Sequence, residues 1–131
     1  MNKIAIIDDN LVFRKVTKML LKKIGVNESN ILLFKNGNEM YEFMQSYINN
    51  IEGLPKTLFL DLNMPVMDGW DFLKLHKLFK KKYNYNPKIY ILTSSIDNKD
   101  YDHAMKFTNI EGYLTKPINE IVLTKIIDKK Q

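Results

Sequence analysis

Asp8 and Asp9 follow the apolar run Lys3 to Ile7, Asp61 follows Thr57 to Leu60, and Lys116 follows Gly112 to Thr115. Thr93 closes another such run, Ile89 to Leu92. If these runs are parallel strands of one sheet, their carboxyl ends gather three carboxylates, a hydroxyl and an ammonium at one edge. Open α/β sheets bind ligands at that edge. Three carboxylates so placed repel one another unless a cation joins them, so the pattern asks for a hard divalent metal. A nucleophile, a hydroxyl and an ammonium beside a metal are the parts needed to handle a phosphoryl group.

Each residue alone has an ordinary explanation. Adjacent acids are common in turns, an acid after a buried strand is often a chain exit to solvent, and a single lysine is usually on the surface. The segment Leu60-Asp-Leu-Asn-Met-Pro-Val-Met-Asp-Gly69 looks more deliberately shaped. Pro65 fixes φ, and Gly69 is expected to supply unusual backbone angles, so that the loop curls around Asp61. The backbone carbonyl of Asn63, two residues on, is within reach of a cation at Asp61. Lys116 precedes Pro117 and is therefore held extended, with its four-carbon stem able to carry the ammonium over Asp61.

The elements that must position these groups alternate. Strands are predicted at about 3–8, 30–34, 57–61, 88–93 and 111–115, and three of them read as continuous apolar runs of the kind buried on both faces. Between them lie stretches of helical period. Val12, Val16, Met19, Leu20 and Ile24 predict the core face of a first helix, with Asn10 as its N-cap. Met40, Phe43, Met44, Tyr47, Ile48 and Ile51 mark a second, and Phe72, Leu75, Leu78 and Phe79 a third. Tyr101, Ala104 and Met105 mark a shorter fourth, and 118–128 a fifth. In the fifth, Ile118, Ile121, Val122 and Ile126 are expected in the core, while Leu123 and Ile127 project elsewhere as a candidate contact patch. Alternating β and α units predict a parallel sheet with helices on both faces.

The chain has 131 residues, enough for one domain with one core, and its 45% hydrophobic content is that of a globular protein. It has no cysteine, which excludes disulfides and thiolate metal sites. No apolar run approaches the ~20 residues of a membrane span, and no signal-peptide pattern is present, so a cytoplasmic protein without membrane insertion is expected. The net charge of +5 comes from dispersed lysines. The densest run, Lys80-Lys81-Lys82, ends a predicted helix, where cations suit the dipole, and lacks the interleaved aromatics of a base-stacking platform. No direct nucleic-acid contact is expected. His76 and His103 have no second ligand at metal spacing and read as surface or helix-packing residues.

Taken together, Asp8-Asp9, Asp61 within Asp61-Leu-Asn-Met-Pro65 and Gly69, Thr93, Tyr113 and Lys116-Pro117 resemble the receiver domain of two-component response regulators. The resemblance runs over nearly the whole chain and implies a flavodoxin-like (β/α)5 fold with strand order 2-1-3-4-5, an order the general rule for doubly wound sheets already associates with a receiver. It implies a single receiver domain over 1–131, with no output domain in this chain. By the resemblance Asp61 is the phosphoacceptor, supported by Lys116 and Thr93. Mg²⁺, or Mn²⁺, is held by Asp8, Asp9, Asp61 and Asn63, and Thr93 with Tyr113 forms the switch. Ser95 and Asn63 are expected near the path of a hydrolytic water. The implied partners are a sensor histidine kinase or phosphotransfer protein and a downstream protein. The downstream protein, or a second copy of the chain, is expected on the surface of the fourth and fifth predicted helices and fifth strand. The expected activity is phosphoacceptor switching with weak self-phosphorylation and autodephosphorylation, not enzymatic turnover.

Rivals differ in class. A degenerate receiver would bind partners without phosphorylation, but the retained acids, Thr93 and Lys116 argue against it. A Mg²⁺-dependent aspartyl phosphohydrolase usually carries a second acid two residues after its nucleophile, where this chain has Asn63. A flavodoxin would need a Ser/Thr-Gly phosphate loop after the first strand, which is absent.

Overall fold

The structure is a computed structural model that describes residues 2–94, 99, 102, 103, 106, 107 and 110–128. Five strands, β1 (Ile4–Ile7), β2 (Ile31–Phe34), β3 (Thr57–Asp61), β4 (Lys88–Thr93) and β5 (Ile110–Thr115), form one parallel sheet in the order β2-β1-β3-β4-β5. Four helices are described: α1 (Leu11–Lys23), α2 (Gly37–Gln45), α3 (Gly69–Tyr83) and α4 (Glu120–Asp128). The fourth helix predicted from Tyr101, Ala104 and Met105 lies outside the described residues, as does Ser95.

The strands are buried because both faces are covered. Along β1, Ala5 and Ile7 enter one core half with Leu58, Leu60, Ile89 and Ile91, capped by Met40 and Met44 of α2 and Phe72, Leu73 and Phe79 of α3. Ile4 and Ile6 enter the other half with Phe59, Tyr90 and Leu92, capped by Leu21 of α1 and Leu123, Ile126 and Ile127 of α4. This is the period-two alternation of a strand feeding two opposed cores. Because β1 lies between β2 and β3, the chain winds in opposite directions from it, and a crevice opens at the carboxyl ends of β1 and β3. The register Ile7↔Leu60 brings Asp8 level with Asp61 there.

Polar side chains set the helix starts. Asn10, Asn36 and Asp68 each accept a backbone N–H three residues on, capping α1, α2 and α3. The helix predicted through Ile51 is shorter: α2 closes at Gln45, and after a turn a separate 3₁₀ segment spans Ile51–Gly53. At the far end of α3, Asn84 takes the left-handed conformation with φ 56° and ends the helix after its lysine run.

Three predicted core faces need correction. In α1 the buried residues are Arg14, Thr17 and Leu21, whereas Val12 and Met19 are 68% exposed and Val16 is also open to solvent. Apolar residues are spread around most of this helix, so periodicity does not single out the inward face. In α3 Leu78 is exposed, and Leu73 and His76 occupy core positions instead. In α4 Ile121 is 67% exposed, while Leu123 and Ile127 are buried. The patch expected at Leu123 and Ile127 is therefore core. The cause is helix phase: beginning the helix at Glu120 turns positions 123, 126 and 127 together toward the sheet.

Candidate functional site

β1 delivers Asp8 and Asp9, β3 delivers Asp61, β4 delivers Thr93, and Lys116 follows β5 directly. One oxygen from each of Asp8, Asp9 and Asp61 lies within 4.8 Å of the others. Asp8 and Asp61 are buried, and Asp9 is exposed. The Lys116 ammonium stands between the two buried acids, its Nζ 2.5 Å from Asp8 Oδ2 and 3.5 Å from Asp61 Oδ1. It is held from behind as well, because the Lys116 N–H donates to Thr93 O at 2.7 Å and the Nζ sits 4.6 Å from the Phe13 ring centroid. The Lys116–Pro117 peptide is cis.

Asp8 is fixed at several points. Its Oδ1 accepts the Asn10 N–H, and its backbone carbonyl accepts from the buried Arg14 guanidinium at 2.7 Å. Its Oδ2 touches the Lys116 ammonium yet receives no well-aligned hydrogen bond. That oxygen has capacity left for a cation or a cation-bound water.

Asp61 Oδ1 accepts the Asn63 N–H at 3.3 Å. Burial, then the neighbouring Asp8 charge, push the Asp61 carboxyl up to about 6, against the opposing pull of Lys116. The loop that follows folds back tightly, with Gly69 N–H donating to Leu62 O. Here the expectation for Gly69 is corrected. The left-handed residue of the loop is Met67, with φ 53°. Glycine is needed at 69 for proximity: a Cβ there would lie 2.7 Å from Asp61 O and 2.8 Å from Leu62 Cα.

An open cleft of about 560 Å³ connects Asp9, Asp61, Asn63, Ser94 and Lys116 with Leu11 and Val12 at the start of α1. Thr93 is buried at the end of β4, one residue beyond the Leu92 that pairs with Asp61. Tyr113 pairs with Ile91 and is half-buried against the α2–α3 core. By strand alternation Thr93 and Tyr113 share that face of the sheet. His76 and His103 are in helix packing: His76 is buried beside Tyr85, and His103 stacks on Trp70.

The family model for the response regulator receiver domain matches residues 4–128. The chain belongs to this family. Among curated relatives, this receiver is 31% identical over 131 residues to hybrid signal transduction histidine kinase F of Dictyostelium discoideum, covering 97% of the chain and 11% of that protein. It is 26% identical to the sensor histidine kinase CheAY of Helicobacter pylori, covering 94% of the chain and 14% of that protein. It thus spans only a small fraction of these relatives' length. Among solved structures, a two-component response regulator from Cytophaga hutchinsonii matches with TM-score 0.86 at 21% identity, covering 98% of this chain and 96% of that one. The receiver domain of the Arabidopsis thaliana histidine kinase CKI1, complexed with Mg²⁺, matches with TM-score 0.82 at 22% identity, covering 99% and 92%. These likenesses establish the fold of the receiver.

Asp8, Asp9, Asp61 and Lys116 meet as the sequence predicted, with Asn63 and Thr93 around them. Sequence reasoning missed Phe13 and Arg14: they follow Asp9 by only four and five residues, but nothing in their type marks them, and the turn of α1 decides that they face the site.

Proposed function

We propose that this receiver accepts a phosphoryl group on Asp61 from a histidine-phosphorylated partner and thereby switches a protein-contact surface. The observation that carries this reading is the convergence of Asp8, Asp9 and Asp61 on one point, with the Lys116 ammonium paired to the two buried acids. The donor set is all oxygen, and Asp8 Oδ2 has unused capacity, so the residues fit Mg²⁺ or Mn²⁺. Asp8, Asp9 and Asp61 would hold the ion, with the Asn63 carbonyl on the same rim. When bound, the ion supplies positive charge for the phosphoryl oxygens and keeps Asp61 ionised.

An Asp61 carboxylate oxygen attacks phosphorus. The P–O bond forms as the P–N bond to the donor imidazole breaks, and the imidazole departs taking a proton. Lys116 neutralises charge on the transferring group. Thr93 then hydrogen-bonds a new phosphoryl oxygen, and Tyr113 on the same sheet face follows into the space released. The reading is of a switch, not a turnover enzyme, since Asn63 stands where a phosphohydrolase carries its second acid.

The donor has a specific place to dock. Val12, Val16 and Met19 form an exposed apolar stripe on α1 that runs into the cleft through Leu11 and Val12. A helical surface carrying a phosphohistidine would cover that stripe as it delivered the phosphoryl group to Asp61. For the downstream contact, the fifth predicted helix (α4) loses Leu123 and Ile127 to the core but retains the exposed Ile121. No helix among the described residues is long and apolar enough to cross a membrane; on this reading the receiver meets its donor in the cytoplasm, because its phosphoryl source is a histidine-phosphorylated signalling protein.

The test is incubation with Mg²⁺ and acetyl phosphate, followed by intact mass. A single phosphoryl adduct, absent in Asp61→Asn, is expected. No adduct and no response to beryllofluoride would leave a phosphorylation-independent binding module.

A further inference from the structure

A second cavity, of about 610 Å³, lies well apart in composition from the acidic cleft. It is lined by Lys77, Lys80 and Lys81 of α3, by Lys106, and by His103 and Phe107, with Asn84 at its end. The volume falls in the range of roughly 300–1,000 Å³ typical of small-ligand sites. Among the described lining residues there is no carboxylate, and none of the four lysines forms an ion pair with a described residue.

Helix electrostatics explain part of this charge. Lys80 and Lys81 lie in the last turn of α3, where cations complement the dipole. That does not account for Lys77 a turn earlier, which shares their face at i, i+3 and i+4, nor for Lys106, which arrives from a different segment. Four ammonium groups held around one concavity repel one another, and a polyanion relieves that cost.

The wall between them is aromatic. His103 stacks on Trp70 with centroids 4.1 Å apart and planes 10° apart, and Phe107 lies 6.3 Å from Trp70 at 24°. In the sequence, Lys80-Lys81-Lys82 has no interleaved aromatics; the fold supplies them from His103 and Phe107. Cationic rim and flat aromatic wall match the two halves of a nucleotide, phosphates and base.

We propose that this groove binds a nucleoside polyphosphate, with the phosphates on Lys77, Lys80, Lys81 and Lys106 and the base against His103 and Phe107. This goes beyond phosphoacceptance at Asp61 and does not depend on it. Trp70, stacked on His103, reports occupancy.

The full chain is titrated with ATP in EDTA, so that no divalent ion can recruit nucleotide to the acidic cleft, and is followed by Trp70 fluorescence and calorimetry. Saturable one-to-one binding with Kd below about 1 mM is expected. It should weaken at least about tenfold in Lys77→Glu/Lys106→Glu and in Phe107→Ala, both with unchanged circular dichroism and unchanged acetyl-phosphate adduct at Asp61. Tripolyphosphate and adenosine should each bind at least about tenfold more weakly than ATP, since each has half of the recognised chemistry. Absence of saturable ATP binding overturns the proposal. Equal affinity for tripolyphosphate overturns the role of the aromatic wall, and equal affinity in the variants overturns the location.

Discussion

Without a bound cation, Asp61 is held at about 6 by burial and by Asp8, while burial depresses the His76 imidazole to about 4. His76 donates from Nε2 to the Tyr85 carbonyl and has no exposed surface, so its neutral form is the one the fold accommodates. The two groups oppose each other in their effect on stability. The raised Asp61 value gives a contribution fully present below pH 3.8 and lost as pH rises through about 6. The lowered His76 value gives one present above pH 6.5 and lost as pH falls through about 4. In EDTA, Asp61→Asn should therefore be about 1–2 kcal/mol more stable than the parent at pH 7.5, the linkage value being reduced by water at the cleft mouth. It should show no gain at pH 4. Between pH 6.5 and 4 the His76 slope then stands alone, and Asp61→Asn should lose stability more steeply than the parent, whereas His76→Gln should lose less. Urea midpoints across that range check both signs.

At the scale of the element, α1 has two jobs on two faces. Leu21 closes the core on one side, while Val12, Val16 and Met19 face solvent on the other. Leu21→Ala should cost about 2–5 kcal/mol through transfer and cavity terms. Met19→Ala, of similar size by sequence, should stay within about 0.5 kcal/mol. Chemical denaturation of the pair discriminates the observed face from the one periodicity suggests. The docking role belongs to the same helix. Val12→Asp should slow phosphotransfer from a phosphohistidine donor at least about tenfold, through a buried unpaired charge in the complex. It should leave the acetyl-phosphate adduct intact, because the small donor needs no stripe. Equal slowing with both donors would place the defect at Asp61 and not in docking.

Across the whole molecule, the two core halves share the strands of one sheet, so neither can open without uncovering the other. The site is built from the ends of four of those strands and the residues following them, which couples it to global stability. A cation bound only by the folded cleft should stabilise the protein by about 2.7 kcal/mol at a hundredfold excess over its Kd. Raised thermal midpoints in Mg²⁺, reversed by EDTA and much smaller in Asp61→Asn, are the expected result. Strand positions and the Asp8–Asp9–Asp61–Lys116 grouping were legible in the chain, because each rests on a short apolar run followed directly by a polar residue, and parallel pairing then brings those ends to one edge. The resemblance of the spaced motif added the order of strands, which alternation alone does not give. Helix facing was not legible: α1 and α4 are apolar around much of their circumference, and only contact with a particular sheet face decides that Leu21 and Leu123 turn inward while Met19 and Ile121 do not. Nor could local sequence show that His103 and Phe107 would stand against the distant lysine run of α3, or that Gly69 is required by the backbone of Asp61. Those are distances between segments, and folding alone sets them.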